Sequence, residues 1–441
     1  MEDHGGYRGS SQNLLARAGA KVGDVVQLEA NGQSIRGTLA PRYQHDDDAH
    51  VVIKLENGYN LGISVGKISK LKKLSAGEKP AFTTSAPKLR TELPEVSILG
   101  TGGTIASRVD YRTGAVRPAI SSEDLYSLIP ELSDIARISP EIVVTASSEN
   151  LEPGDWARIA QRVADGVARG VRGVVVTTGT DVMGYTTAAL ALALQKVPIP
   201  VLVVGSQRSS DRPSSDAYLN LVGAVSLAVS AEFSGVYVVM HADWNDEKLA
   251  VHSGTRVRKN HTSTRDAFQS IGEFPVAYWT RAGLQLVSKG LPPRSDGSRF
   301  RARTKFDPNV VLVKFYPSMP TPLLEAVIGR GLRGLVIEGT GLGHINSKNI
   351  ATVATFVKGG GIACMTSQCI WGRVDMNVYD NGRDLLRAGV LPLEDMLAET
   401  ALVKLMWVLG NSSSPGEVKS LMLENLAGEI LDRSISDASS K

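Results

Sequence analysis

At 441 residues the chain exceeds what one ordinary core organises, and its 42% apolar and 21% charged side chains exclude disorder on a large scale. A net charge of +3, from 48 basic and 45 acidic residues, argues against a chain devoted to nucleic-acid binding over its whole surface. The two cysteines, Cys364 and Cys369, lack a CxxC pair and a histidine cluster, which points to reduced thiols rather than a disulfide or metal site. No window approaches about 18 apolar residues, and no basic, then apolar leader pattern is present. A cytoplasmic location without a membrane partner is therefore expected.

Residues 1–20 are polar and glycine-rich and read as a flexible N-terminus. Val22 to Leu39 holds two apolar runs joined at Asn31-Gly32, and Val51 to Leu55 and Tyr59 to Val65 flank Asn57-Gly58. Such dipeptides favour tight hairpins, so residues 21–75 read as a small β-barrel domain. Lys67 to Arg90, rich in Lys, Ser, Ala and Pro, reads as an exposed segment, with the linker proper at 76–92.

From Pro94 onward strands alternate with helices, which predicts an α/β fold with parallel sheets covered on both faces. Ile98 to Ala106 is an apolar run broken by Thr101-Gly102-Gly103-Thr104. Trp156, Ile159, Ala160, Val163 and Val167 recur at helical spacing within Pro153 to Gly170. Val174 to Met183 is a second apolar run that ends in Thr178-Gly179-Thr180-Asp181 and leads into a helix from Tyr185 to Gln195. Val201 to Gly205 and Gly235 to Met240 are further strands. A basic, proline-containing linker at 291–308 separates the domain 93–290 from one at 309–441. The latter has strands at Val310 to Phe315, Gly334 to Glu338 and Gly361 to Met365. Leu421, Leu423, Leu426 and Ile430 of its helical tail are expected to pack.

Two strand ends thus offer hydroxyls, and one adds a carboxylate, at the place where parallel sheets bind ligands. A threonine hydroxyl attacks only when a neighbour takes its proton and donors hold the oxyanion. Backbone N–H groups of the Gly179-Thr180 turn suit the second task. Taken singly, Asp181 reads equally as a helix cap, Lys259 as surface charge and Tyr111 as a loop aromatic. Gly339 to Gly343 is glycine-rich but lacks the acidic residue of a dinucleotide site.

Together, TGGT at Thr101 to Thr104 and TGTD at Thr178 to Asp181 resemble the bacterial-type L-asparaginase family, over about Pro94 to Gly410. The resemblance implies an asparaginase-like two-domain core, with Thr101 favoured as nucleophile, Tyr111 assisting it, and Thr180, Asp181 and Lys259 as a proton-handling group. It also implies Ser148, Glu149 and Gly179 as substrate-binding residues; many free asparaginases carry Gln where this chain has Glu149.

Free asparaginases begin almost at the TGGT strand, whereas here about 90 residues precede it. That layout, with SRVDYRTGAV from Ser107, GTRVRKNHTSTRDAF from Gly254 and GRVDMNVYDNGRDLLRAGV from Gly372, is similar to the D-subunit family of the archaeal glutamyl-tRNA(Gln) amidotransferases. The similarity implies a glutaminase or asparaginase half-enzyme that supplies ammonia to an E subunit. It implies a homodimer within an α2β2 complex, with Asn377 and Tyr379 at the subunit boundary and tRNA(Gln) bound mainly by the partner. No cofactor is expected in this chain, ATP and Mg²⁺ being used by the partner. A stand-alone cytosolic asparaginase with an added β-domain is the alternative.

Overall fold

A computed structural model describes residues 6–40, 42, 47–55, 60–76, 90–102, 107–109, 116–118, 125, 129–208, 215–329 and 331–435. These fall into two compact units: the first holds those below 90 and those within 104–130 and 206–218, the second the remainder.

Alternating burial builds the sheet of the first unit. In β1 (Val25–Ala30), Val26, Leu28 and Ala30 turn inward. The chain then reverses through Asn31 and Gly32, at φ 51° and 76°, as a two-residue hairpin turn requires. β2 (Gln33–Leu39), β3 (His50–Lys54), β4 (Asn60–Ser64) and β5 (Ile68–Ser75) complete an antiparallel sheet in the order β4-β3-β2-β1-β5. The Asn57-Gly58 turn lies outside the described residues. β5 corrects the reading of Lys67 onward as an exposed segment: Leu71 packs on the core and Lys73 pairs with the buried Asp24 at 2.6 Å, while Lys70 and Lys72 face out.

The expected flexible N-terminus is corrected as well. Residues Gly9–Arg17 form helix α1, and Tyr7 and Leu15 are buried with the sheet's core. Composition concealed a short apolar stripe, Leu14, Leu15 and Ala18, that has a sheet face to cover. The Tyr7 hydroxyl donates to Ala40 O at 2.8 Å and accepts from Val52 N at 3.0 Å. Burial pushes that phenol up to about 12, so it stays a donor throughout the neutral range.

In the second unit, β6 (Glu95–Gly100) starts a large sheet. The hairpin of β7 (Ser107–Val109) and β8 (Val116–Pro118) belongs to the first unit. After α2 (Leu132–Ile135), β9 (Arg137–Ile142), β10 (Gly173–Thr177), β11 (Pro200–Val204) and β12 (Gly235–His241) run parallel with β6. β13 (Lys248–Ser253) pairs antiparallel to β12. β14 (Val257–Lys259) and β15 (Phe268–Ser270) pair only with each other, and β16 (Ala277–Thr280) and β17 (Gly283–Leu286) finish the eight-stranded order β17-β16-β13-β12-β11-β10-β6-β9. Strands β10 and β11 are buried along their whole length and mostly valine, as parallel strands covered on both sides require.

Between strands lie α3 (Pro153–Arg169), α4 (Met183–Ala193) and α5 (Ala217–Ser230). Helix α3 begins with Glu152 N donating to the Asp155 carboxylate at 2.8 Å, and ends at Gly170, whose φ of 81° suits glycine. Strands β18 (Val310–Lys314), β19 (Gly334–Gly339), β20 (Ile362–Ser367) and β21 (Leu391–Pro392) form a second, all-parallel sheet. With it pack α6 (Thr321–Ile328), α7 (Ser347–Lys358), α8 (Asp380–Arg387), α9 (Ala398–Asn411) and α10 (Pro415–Leu423).

One core runs through both α/β parts: Val174, Leu190, Leu405 and Trp407 belong to it together. Helix α4 is buried on nearly every side because the first sheet covers one face and α9 another. Leu421, Leu426 and Ile430 pack on this core, whereas Leu423 is exposed, contrary to expectation. Cys364 is buried, Cys369 exposed, and both are free thiols. Among the described residues no helix is long and apolar enough to cross a membrane.

Tyr7→Phe should leave Val52 N without its hydroxyl acceptor and destabilise the β-domain by about 1–2 kcal/mol. Hydrogen exchange at Val52 and urea unfolding read this out, and unchanged protection would contradict the packing of the N-terminal segment.

Candidate active site

Parallel strands β9, β6, β10 and β11 end at one edge of the large sheet, and the loops that leave them meet there. Thr177 pairs with Gly100, so the TGGT and TGTD turns begin side by side. The next turn is held from the other flank, where Thr178 N donates to Val204 O at 3.0 Å.

Close backbone approach explains the glycines. Gly102 has φ 95°, and a Cβ there would lie 2.0 Å from Ala146 O, in the segment that follows β9. A Cβ on Gly179 would lie 2.6 Å from Ser148 Cβ and 2.8 Å from its Oγ. Only glycine lets the second turn lie against Ser148, which is buried at the start of a single 3₁₀ turn, Ser148–Asn150. Glu149, next to it, is exposed at the same edge.

Lys259 reaches this edge from β14. Its Nζ donates to Thr180 Oγ1 at 2.9 Å and to Asp181 Oδ1 at 2.8 Å, across 79 and 78 residues of sequence. The lysine side chain is 14% exposed and the aspartate 73%. The ammonium is thus largely withdrawn from water, while the carboxylate keeps an open side. Asp181 is not the cap of α4: Val182 occupies that position, with no side-chain cap bond.

Thr101 lies apart from this trio. It is fully buried, and its hydroxyl donates to Thr177 O at 3.0 Å, beside the bond from its own N–H at 2.9 Å. A hydroxyl committed to a neighbouring strand's carbonyl and closed to solvent staples β6 to β10. Thr180, Asp181 and Lys259 are therefore brought together; Ser148 and Gly179 touch each other beside them; and Thr101 stands behind. Tyr111, like Thr104, lies outside the described residues.

Sequence reasoning missed Arg256. Its guanidinium is buried and donates to Ile271 O, Asp395 O, Glu429 O and the Asp395 carboxylate. Within the run Arg256-Val257-Arg258-Lys259 nothing marks one arginine as interior, and only the tertiary partners do so. Arg258 instead approaches Glu399 at 3.6 Å, whose carboxyl burial pushes above the usual range.

With this geometry, three family descriptions match in order: the GatD N-terminal domain at residues 20–74, the asparaginase N-terminal domain at 95–290 and the glutaminase/asparaginase C-terminal domain at 309–422. The D subunit of the glutamyl-tRNA(Gln) amidotransferase of Metallosphaera sedula is 47% identical over 431 residues, covering 97% of each chain. The chain belongs to this D-subunit family. The D subunit of Pyrococcus furiosus is 46% identical and covers 95% of this chain and 97% of its own. The solved thermostable L-asparaginase of Thermococcus kodakarensis superposes with a TM-score of 0.68 at 33% identity. It accounts for 76% of this chain and 99% of its own, so members of the D-subunit family exceed it in extent.

Thr101→Val should cost about 1 kcal/mol of stability through the lost hydroxyl bond. Because Thr101 stands behind the site, turnover should stay within about tenfold, whereas Gly179→Ala, which displaces Ser148, should lower it by about 100-fold. Melting temperature and amide hydrolysis measured on both variants check this; selective inactivation of a stable Thr101→Val protein would return Thr101 to the chemistry.

Proposed function

We propose that the chain hydrolyses the side-chain amide of glutamine, or of asparagine, and supplies the ammonia to a partner subunit that forms Gln-tRNA(Gln) from Glu-tRNA(Gln). The observation that carries the hydrolytic reading is the Lys259 ammonium held at 2.9 Å from Thr180 Oγ1 and 2.8 Å from Asp181 Oδ1 at the strand ends of an asparaginase-type sheet.

A threonine hydroxyl attacks the amide carbon and loses its proton, the C–N bond breaks as the nitrogen gains a proton, and ammonia leaves. Water then cleaves the ester and restores the hydroxyl. Since Thr101 is sealed, we assign the attack to Thr104, the next hydroxyl of the TGGT sequence, with Tyr111 as its assistant. Thr180 and Lys259 then move protons at the leaving nitrogen and at the incoming water, with Asp181 orienting the lysine, as the third group of a triad orients its base. The open side of the Asp181 carboxylate suits the substrate's α-ammonium, and Ser148 and Glu149 suit its remaining polar groups. The Gly179 and Thr180 N–H groups serve as oxyanion donors.

Membership along the whole chain supports the amidotransferase setting. The D-subunit relative of Metallosphaera sedula covers 97% of the chain, whereas the free asparaginase covers 76% of it, which favours a partner over stand-alone hydrolysis. We assign ATP and Mg²⁺ to the partner E subunit and no cofactor to this chain. We further propose a homodimer in an α2β2 complex, with Asn377 and the exposed Tyr379 at its boundary, a cytoplasmic setting, and tRNA(Gln) held mainly by the partner.

Ammonia release from glutamine should rise strongly when the E subunit, Glu-tRNA(Gln), ATP and Mg²⁺ are added, with Gln-tRNA(Gln) as product. Lys259→Met should lower that release by about 100- to 10,000-fold. Full turnover without the partner, and no charged-tRNA product, would make the chain a stand-alone asparaginase.

A further inference from the structure

Lys259 ends a strand of three residues whose one partner strand is equally short. A two-stranded ribbon of that size is not self-supporting, so the lysine's position must be fixed from outside it. The fixing groups lie three residues upstream. Arg256 Nε donates to Ile271 O at 3.0 Å, beside β15, and its Nη atoms reach Asp395 O at 2.8 Å, Glu429 O at 3.1 Å and Asp395 Oδ2 at 3.1 Å. Glu273 also faces the guanidinium, and its Oε1 is buried without a hydrogen-bond partner.

One of these bonds ends at Glu429 in the chain's last described stretch, and Asp395 is itself tied to that stretch. Asp395 accepts from Leu431 N at 3.1 Å and from Ser434 Oγ at 2.6 Å. Thr255 Oγ1 donates to Ala427 O at 3.1 Å, and Ile435 N to Gly272 O at 2.8 Å. Glu429 accepts from Leu426 N and Ala427 N and pairs with Lys404 of α9 at 2.6 Å, both side chains fully buried. Helix α9 packs on α4, which starts directly after Thr180 and Asp181.

We infer that residues 424–435 form a strap that holds Lys259 in register with Thr180 and Asp181, and that Arg256 is the positioning residue through which the strap acts. This rests on Lys259 having the proton-handling role assigned above. The strap ties both halves of the site to one buried charge network: Arg256 fixes the lysine's strand, and Lys404 with Glu429 fixes the helix behind the threonine's turn. Arginine suits the task because its planar fork makes several bonds in fixed directions, which a lysine cannot reproduce. Because the charges are buried, loss of one partner leaves another unpaired and displaces the strand.

The test compares Arg256→Lys, Asp395→Asn, Ser434→Ala and Lys259→Met in the full chain with the E subunit. Folding is read by circular dichroism and complex formation, and glutamine hydrolysis by kcat and KM separately. Arg256→Lys and Asp395→Asn should fold, lose about 10- to 100-fold in kcat and keep KM within about twofold, as expected when a reacting group is misplaced by a fraction of its reach.

Folded variants with unchanged kcat, or a loss of kcat that only follows the folded fraction, would overturn the inference. Should the Arg256 and Asp395 variants fail to fold, Ser434→Ala decides. It removes a single strap bond and should slow kcat about threefold, and an unchanged kcat counts against the strap. Turnover retained in Lys259→Met would instead refute the role of the lysine itself, whatever the strap does.

Discussion

An ammonium held between a hydroxyl and a carboxylate, and mostly out of water, is the interaction to which the rest of this chain answers. Lys259 cannot be brought to Thr180 by local structure, because 79 residues separate them. Strands β10 to β13 must all be in place before β14 can present it. The parallel order of β9, β6, β10 and β11 sets the other side, since it gathers four strand ends at one edge. Glycine then decides how near those loops come, with Gly102 against Ala146 and Gly179 against Ser148.

The two α/β parts share one core rather than resting against each other by surface contact. Helix α4 leaves the site turn and is enclosed by the first sheet and α9, so the turn at Thr180 inherits the rigidity of the interior. Preorganisation of this kind is what electrostatic stabilisation of a tetrahedral intermediate requires. The same logic gives Thr101 its place, where its hydroxyl closes the seam between β6 and β10 rather than facing the edge.

Much of the architecture was legible in the sequence because parallel sheets write themselves plainly. Val174 to Val176 and Val201 to Val204 are unbroken apolar runs, and helix α3 shows its periodicity from Trp156 to Val163. Asn31-Gly32 announced its hairpin by chemistry alone. The meeting of Thr180, Asp181 and Lys259 was reached through resemblance, since no pattern in Arg256 to Lys259 distinguishes an interior arginine from a reacting lysine. The burial of Thr101 was not legible in the sequence, because it depends on a carbonyl 76 residues away. The N-terminal helix was hidden by polar composition, as its few apolar residues acquire meaning only against the sheet.

The small antiparallel sheet carries a further consequence in its last strand. Among the described residues β5 is an edge, with one side of its backbone unpaired by any strand of this sheet. Such a ladder is a template on which another extended chain can grow. Lys70, Lys72 and Lys73 lie along it, and its pairing with β1 is interrupted by register shifts near Val26 and Glu29. A foreign strand added there would set its own backbone beside a row of ammonium groups on an irregular track. The exposed Lys70 and Lys72, which look in the sequence like part of a loose, solvated tether, thus guard this edge against pairing with another chain.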